Sequence, residues 1–192
     1  MTAPNTEILA KAIQQLSATS AASLAQLCIA AAPRVLSKRE ALHRAGKPCE
    51  SVWFVEKGYL RAFQADEAGR ELNHCFYLEN SFATDLVSLR THQPSVLTLQ
   101  AGEPTLVWEW PKQRLLDLYA TSIEAAQFGR MLLGYLLLKQ ERQTRFFQHY
   151  GPAERYAHLL REQPALVQRV SVSQLASYLG MARETLSRLR SA

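Results

Sequence analysis

The chain has 192 residues, 47% of them hydrophobic and 20% charged, with eight glycines and eight prolines. That allows one ordinary domain or two small ones and excludes a disordered, collagen-like or disulfide-scaffold chain. Lys and Arg number 22 against 17 Asp and Glu, a net charge of +5, which favours a polyanionic partner.

Cys28, Cys49 and Cys75 are too few and too widely spaced for a disulfide framework, so a reducing compartment is expected. The most apolar run, Met131 to Leu138, is interrupted by Gly134 and closed by Lys139. It falls short of the roughly 18 residues of a membrane span. The N-terminus lacks a basic stretch ahead of an apolar one, so no secretion signal is read and a cytoplasmic protein is expected.

From Glu7 to about Ala32, apolar residues recur at helical spacing (Ile8, Ala12, Leu16, then Leu24, Leu27, Cys28) around an interruption at Ser17 to Ser20, which predicts two short helices. After Pro33 the texture turns to short alternating runs, with Val52 and Phe54 against Trp53 and Val55, then Tyr59, Arg61 and Phe63. Gly46, Pro48 and Gly58 punctuate them as turn residues. The Asp66 to Arg70 loop, with Gly69 available for a positive φ, joins strands at Leu60 to Ala65 and Leu72 to Leu78 as a hairpin. A further strand pair is expected at Val96 to Gln100 and Leu106 to Trp110. Residues 34–111 therefore form a small antiparallel sheet or barrel. Trp108 and Trp110 share one strand face, either as core beneath a helix or as the lining of an effector pocket.

Beyond Lys112 the period is helical again. A long helix is expected within about 116–148, uninterrupted from Ser122 to Gln148 and so roughly 40 Å long. Its centre is apolar all the way round and needs cover on several sides. That cover is either the sheet plus the same helix of a second copy, or the interior of a single copy. The basic and aromatic run Lys139 to Tyr150 reads as a dimer seam with a solvated edge or as a DNA contact. Gly151-Pro152 breaks the chain and starts another helix, with Tyr156, Leu159 and Leu160 on one face and Pro164 at its end. The division expected is 1–150 and 151–192.

The last stretch carries the most information. Ser171 followed three residues later by Gln174 reads as a capping box, and Val170 with Leu175 as a hydrophobic staple. Leu175, Ala176 and Leu179 give this short helix an apolar face, and Gly180 permits the left-handed turn that ends it. Then Met181, Leu186 and Leu189 are spaced to pack inward, with Arg183, Glu184, Ser187 and Arg188 outward. This is a helix-turn-helix pattern. Arginines can bond guanine O6 and N7, Glu184 can accept from cytosine N4, and Thr185 can hold a phosphate. From Gly151 on, six arginines face three glutamates, so the charge excess leans to this end. The bland alternative is simply the polar face of an αα-hairpin.

The run Ser171-Val-Ser-Gln-Leu-Ala-Ser-Tyr-Leu-Gly-Met-Ala-Arg-Glu-Thr-Leu-Ser-Arg resembles the DNA-reading unit of the Crp/Fnr regulators. Ala45-Gly46, Phe54-Val-Glu-Lys-Gly58 and Asp66-Glu-Ala-Gly-Arg-Glu71 are similar to that family's early β-roll, and the order of parts agrees over nearly the whole chain. The resemblance implies an α+β fold: an antiparallel, cyclic-nucleotide-binding-like β-roll (a double-stranded β-helix), a long dimerisation helix and a C-terminal helix-turn-helix. It also implies a bacterial, homodimeric transcription regulator, with double-stranded DNA and RNA polymerase as partners. Arg183, Glu184 and Arg188 become the base-reading positions, of the subclass that reads TGTGA-type half-sites. Ser171 and Thr185 become phosphate contacts, and Ser173, Ser187 and Arg190 complete the DNA-facing set.

Departures from the family pattern are specific. Where cyclic-nucleotide binders present Gly-Glu and then Arg-Ser/Thr, this chain reads Asn80-Ser-Phe-Ala-Thr-Asp-Leu86 and Gln93-Pro94-Ser95. Asp85 can imitate the ribose-binding acid, and Thr84 and Ser95 would line an effector pocket beside it. Pro94 offers a cyclic phosphate neither charge nor an N–H, so cyclic AMP is not the expected effector. Ala182 stands where a Ser or Thr cap is usual. The sequence ends at Ala192, directly after the reading helix, so the family's wing is expected to be missing.

Three cysteines do not supply the four ligands of an iron–sulfur cluster. His74 beside Cys75, with Glu79 downstream, is the nearest approach to a metal site, yet a cupin-type enzyme needs two histidines at HxH spacing. Haem ligation by His43, His74 or Cys75 stays open. No catalytic triad, carboxylate pair or phosphate loop is evident, so no enzyme, metal or cofactor is expected. A β-roll metalloenzyme is retained as the more distant alternative, beside a protein-interaction module.

Overall fold

A computed structural model describes residues 6–191. Two helices, α1 (Glu7–Leu16) and α2 (Ala21–Ala30), precede strands β1 (Ala32–Leu36), β2 (Ala41–His43), β3 (Ser51–Lys57), β4 (Leu60–Ala65), β5 (Glu71–Tyr77) and β6 (Ser81–Ala83). A short helix α3 (Leu86–Thr91) leads to β7 (Thr98–Ala101) and β8 (Thr105–Pro111), and helices α4 (Lys112–Thr121), α5 (Ile123–His149), α6 (Pro152–Glu162), α7 (Pro164–Arg169), α8 (Val172–Leu179) and α9 (Arg183–Ser191) follow. The fold is α+β, as the sequence indicates.

The strands form two four-stranded antiparallel sheets, ordered β1-β8-β3-β6 and β2-β7-β4-β5. Alternation along β3 explains how they stack. Trp53 and Val55 join Leu36, Leu60, Leu99 and Val107 in one cluster, while Val52 and Phe54 join a second cluster with Trp108 and Trp110. The second is covered by α1, α2, α4 and α5, so both faces of β3 are apolar. Trp110 is wholly buried, donates its indole N–H to the Leu27 carbonyl at 2.8 Å and lies 6.2 Å from the Phe128 ring of α5. The two tryptophans are thus core beneath the helices. Gly58 closes the β3–β4 turn at φ +82°, where a Cβ would sit 2.6 Å from Thr105 Oγ1; only glycine fits there.

The hairpin through Asp66 to Arg70 forms as expected, but β7 and β8 do not pair with each other. β7 lies between β2 and β4, and β8 between β1 and β3, because the chain crosses between sheets after Ala101. The long helix spans Ile123–His149, in line with the uninterrupted stretch expected from Ser122 to Gln148, and the looser outer bound near 116 falls instead in α4. Ser122 leaves helical geometry at φ −132°, ψ 118°, and its Oγ accepts from the Ala125 N–H at 3.2 Å, capping α5 and separating it from α4. Pro164 does end α6, yet it also opens α7 at the first helical position. Leu160, expected on the buried face, is 45% exposed; Tyr156 and Leu159 alone turn into the core.

A third cluster holds the C-terminal helices on the roll. Leu166, Val170, Leu175, Leu179 and Leu186 pack with Tyr59 and Phe76 of the strand region. Burying each such side chain is worth roughly 1.5–3 kcal/mol, so this contact fixes where the helix-turn-helix sits.

Candidate nucleic-acid interface

Local signals build the helix pair. Ser171 is the N-cap of α8, and its Oγ accepts a hydrogen bond from the Gln174 N–H at 3.3 Å. Among the described residues the Gln174 side chain makes no return bond, so the cap is one-armed rather than the reciprocal box the spacing indicates. Val170 and Leu175 are both buried in the third cluster. Gly180 ends α8 at φ 72°, ψ 39°, with its N–H on the Ala176 and Ser177 carbonyls, and Met181 N–H also returns to Ala176 at 3.1 Å. This left-handed cap turns the chain directly into α9. Ala182 supplies only its carbonyl, which accepts the Leu186 N–H at 3.2 Å, leaving α9 without a side-chain cap.

On α9, Leu186 is wholly buried, while Arg183, Glu184, Thr185, Ser187, Arg188 and Arg190 are exposed. Ser171 and Ser173 are exposed on α8. Leu189 departs from expectation. It is 37% exposed, one turn beyond Leu186 and outside the cluster that Leu186 joins.

The arginine excess divides into two groups. Arg155 donates from Nη1 to the Leu179 carbonyl at 2.9 Å and from Nη2 to the Phe147 carbonyl at 2.8 Å, joining the end of α8 to the end of α5. Arg161 pairs with Glu162 at 2.8 Å, and Arg169 with Glu79 and Glu103. Arg183, Arg188 and Arg190 have no ion pair or hydrogen bond among the described residues. Among these six C-terminal arginines, the charge free to meet a polyanion is therefore on α9.

Sequence reasoning missed the residues that seat this helix pair. Ser177 Oγ accepts from the Asn73 N–H at 3.0 Å and donates to the Glu71 carbonyl at 2.8 Å, clamping α8 to the free edge of β5. Tyr178 packs edge-on to Phe76 at 5.3 Å and Phe147 at 5.3 Å, and burial raises its phenol pKa. Arg155 and Arg169 were legible only as charge.

Thr84, Asp85 and Ser95 do lie together, but their polar groups are already engaged. Asp85 caps α3 by accepting the Ser88 N–H at 3.1 Å and accepts from Ser95 Oγ at 2.6 Å, and Thr84 Oγ1 donates to the Ser51 carbonyl at 3.0 Å. Trp53, Tyr77 and Cys49 fill the cluster between the sheets. Elsewhere, Glu79 is taken by Arg169 rather than standing with His74 and Cys75. Burial pushes the Cys75 thiol pKa up and the His74 imidazole pKa down. Among the described residues, no group of three His, Cys, Asp or Glu is placed to hold a metal ion, and no helix is long and apolar enough to cross a membrane.

Along α5, Leu132 is buried, whereas Ile123, Met131, Leu137 and Leu138 are exposed by 43–86%. A Cβ at Gly134 would meet no atom within 4 Å. The helix is therefore not buried wholly within one copy.

Residues 33–122 match the cyclic nucleotide-binding domain family. The chain is 31% identical over 172 residues to the transcriptional activator protein anr of Pseudomonas aeruginosa, covering 81% of this chain and 68% of that protein. It is 31% identical over 170 residues, with the same coverage, to the transcriptional activator protein FnrA of Stutzerimonas stutzeri. FixK2 of Bradyrhizobium japonicum shares the fold at a TM-score of 0.68 and 22% identity, over 84% of this chain and 83% of that one.

Proposed function

The chain belongs to the Crp/Fnr family of transcription regulators, and from that premise we propose that it binds two-fold symmetric DNA as a homodimer without a cyclic nucleotide. The observation that carries this reading is the exposed face of α9, where Arg183, Arg188 and Arg190 have no partner among the described residues, while Arg155 and Arg169 are bonded to other elements and Arg161 is paired at the surface with Glu162. Arg183 and Glu184 stand at the start of the reading helix, closest to base edges, and Arg188 follows a turn later. Arg183 and Arg188 recognise guanine, Glu184 accepts from cytosine, and Thr185, Ser171, Ser173, Ser187 and Arg190 hold the backbone.

The exposed apolar face of α5 supports dimerisation. Ile123, Met131, Leu137 and Leu138 would be covered by the same helix of a second copy, with Gly134 letting the two backbones approach. The inward-bonded Asp85 and Ser95, with Pro94 beside them, support independence from cyclic AMP, because a buried phosphate there lacks a counter-charge. The protein acts in the cytoplasm with RNA polymerase as its further partner, and the reading assigns no catalytic role.

Titrating a labelled duplex across a salt series tests the DNA reading. Affinity is expected to fall steeply and linearly in log–log form with salt, by about 0.9 per phosphate neutralised. Binding of a protein partner that is insensitive to salt, with no duplex binding, would replace this reading by an interaction module. A micromolar calorimetric isotherm with cyclic AMP would overturn the cyclic-nucleotide part alone.

A further inference from the structure

We propose that the cleft where β5, α5 and the C-terminal helices meet is a binding site for a planar aromatic anion. The cleft encloses about 840 Å³, the size of a small-molecule site. Thr84, Asp85 and Ser95 do not line it, so it is separate from the pocket the sequence points to within the roll. Phe76 from β5, Phe146 from α5, Tyr150 just beyond the end of α5, and Tyr178 from α8 supply aromatic walls. The Phe146 and Tyr178 rings are stacked at 6.3 Å and 17°. Such walls favour a flat aromatic body.

Charge decides the rest of the ligand. The two acids on the lining are already neutralised, Glu79 by Arg169 and Glu162 by Arg161. Of the cations, Arg145 is paired with Glu141, but Lys139 and Arg142 have no carboxylate partner among the described residues. The Lys139 ammonium sits 3.9 Å over the Tyr77 ring, and burial lowers its pKa. On the same lining, His158 Nδ1 is buried with no hydrogen-bond partner among the described residues. An apolar or cationic occupant would leave the amine and the imidazole unsatisfied, whereas an anionic group supplies an acceptor to both.

An occupant touches the roll, the long helix and α8 together, so its affinity depends on how the three are arranged. Given the DNA-binding reading above, on which this consequence rests, it would bias the angle of the two reading heads.

The site is tested with the full chain and the probe 8-anilinonaphthalene-1-sulfonate, followed by fluorescence and calorimetry beside its uncharged counterpart N-phenyl-1-naphthylamine. One saturable site per chain is expected, with the neutral probe weaker by roughly tenfold or more. Arg142→Ala and Lys139→Met should each weaken the anion by about tenfold, while Arg90→Ala, which removes the same charge on the distant α3, leaves it unchanged. Arg142 is exposed, so its variant reports on the anion contact even where Lys139→Met lowers stability. Equal binding of both probes, or no response to either cleft variant, would overturn the site. Because the readout is probe binding, the DNA-binding reading can fail without touching this result.

Discussion

Arg169 on α7 grips Glu79 beyond the end of β5 with two hydrogen bonds, 2.9 and 2.7 Å from its carboxylate oxygens, and the same guanidinium reaches Glu103 at 2.6 Å. One side chain thus joins the C-terminal helices to two separate loops of the roll. The hydrogen bonds from Arg169, more than any other influence, hold the Glu79 carboxyl below its ordinary range.

A carboxylate depressed in the folded state stabilises above its unfolded value, near 4.3, and that stabilisation is lost as pH falls through the depressed value. Both partners remain a quarter to a third exposed, so the pair is worth about 1 kcal/mol. Urea midpoints of the wild type and Glu79→Gln should therefore differ most near pH 7 and converge toward pH 3. Midpoint curves that run parallel across that range would contradict the assignment.

Leu137 is 53% exposed on α5, whereas Leu132, five residues earlier, is 3% exposed against the roll. Leu137→Glu should leave the melting temperature of the single chain within a degree or two and shift sedimentation from dimer to monomer. Leu132→Ala should instead cost about 2–5 kcal/mol of folding stability through a core cavity. A Leu137→Glu protein that still sediments as a dimer would move the seam away from this face.

The uncapped start of α9 offers a gain. Ala182→Ser supplies the missing acceptor at a position whose carbonyl already receives the Leu186 N–H, and should stabilise by about 1 kcal/mol. That corresponds to roughly 2–4 °C in a chain of this size, read by differential scanning calorimetry. An unchanged or lowered melting temperature would mean that Ala182 does not act as the cap position.

Much of the fold was legible because it is local. The alternation of Val52, Trp53, Phe54 and Val55, the glycine turns at Gly58 and Gly180, and the Ser171 cap each depend on neighbours within a few residues. Assignment of β7 and β8 to opposite sheets was not, since their pairing partners lie far along the chain. The start of the long helix at Ser122 was legible from the uninterrupted period that runs from there to Gln148, although no glycine or proline marks the break from α4; a serine able to cap Ala125 is its local signal. At the candidate interface, the outward residues of α9 follow from helical spacing around Leu186. Arg155 and Arg169 entered the sequence reading only as part of the C-terminal charge excess, and only structure gives them their roles, because their partners Leu179 and Glu79 stand 24 and 90 residues away in sequence.

The most direct test of the DNA-reading account is in vitro selection from a random DNA pool, run with the wild type and with Arg188→Ala at one fixed salt concentration. A two-fold symmetric motif should emerge for the wild type, with half-sites about one helical turn apart. The variant should lose about 1–3 kcal/mol of discrimination at its guanine positions. Failure of the wild type to enrich any motif, or a motif that Arg188→Ala reads with undiminished guanine preference, would contradict it.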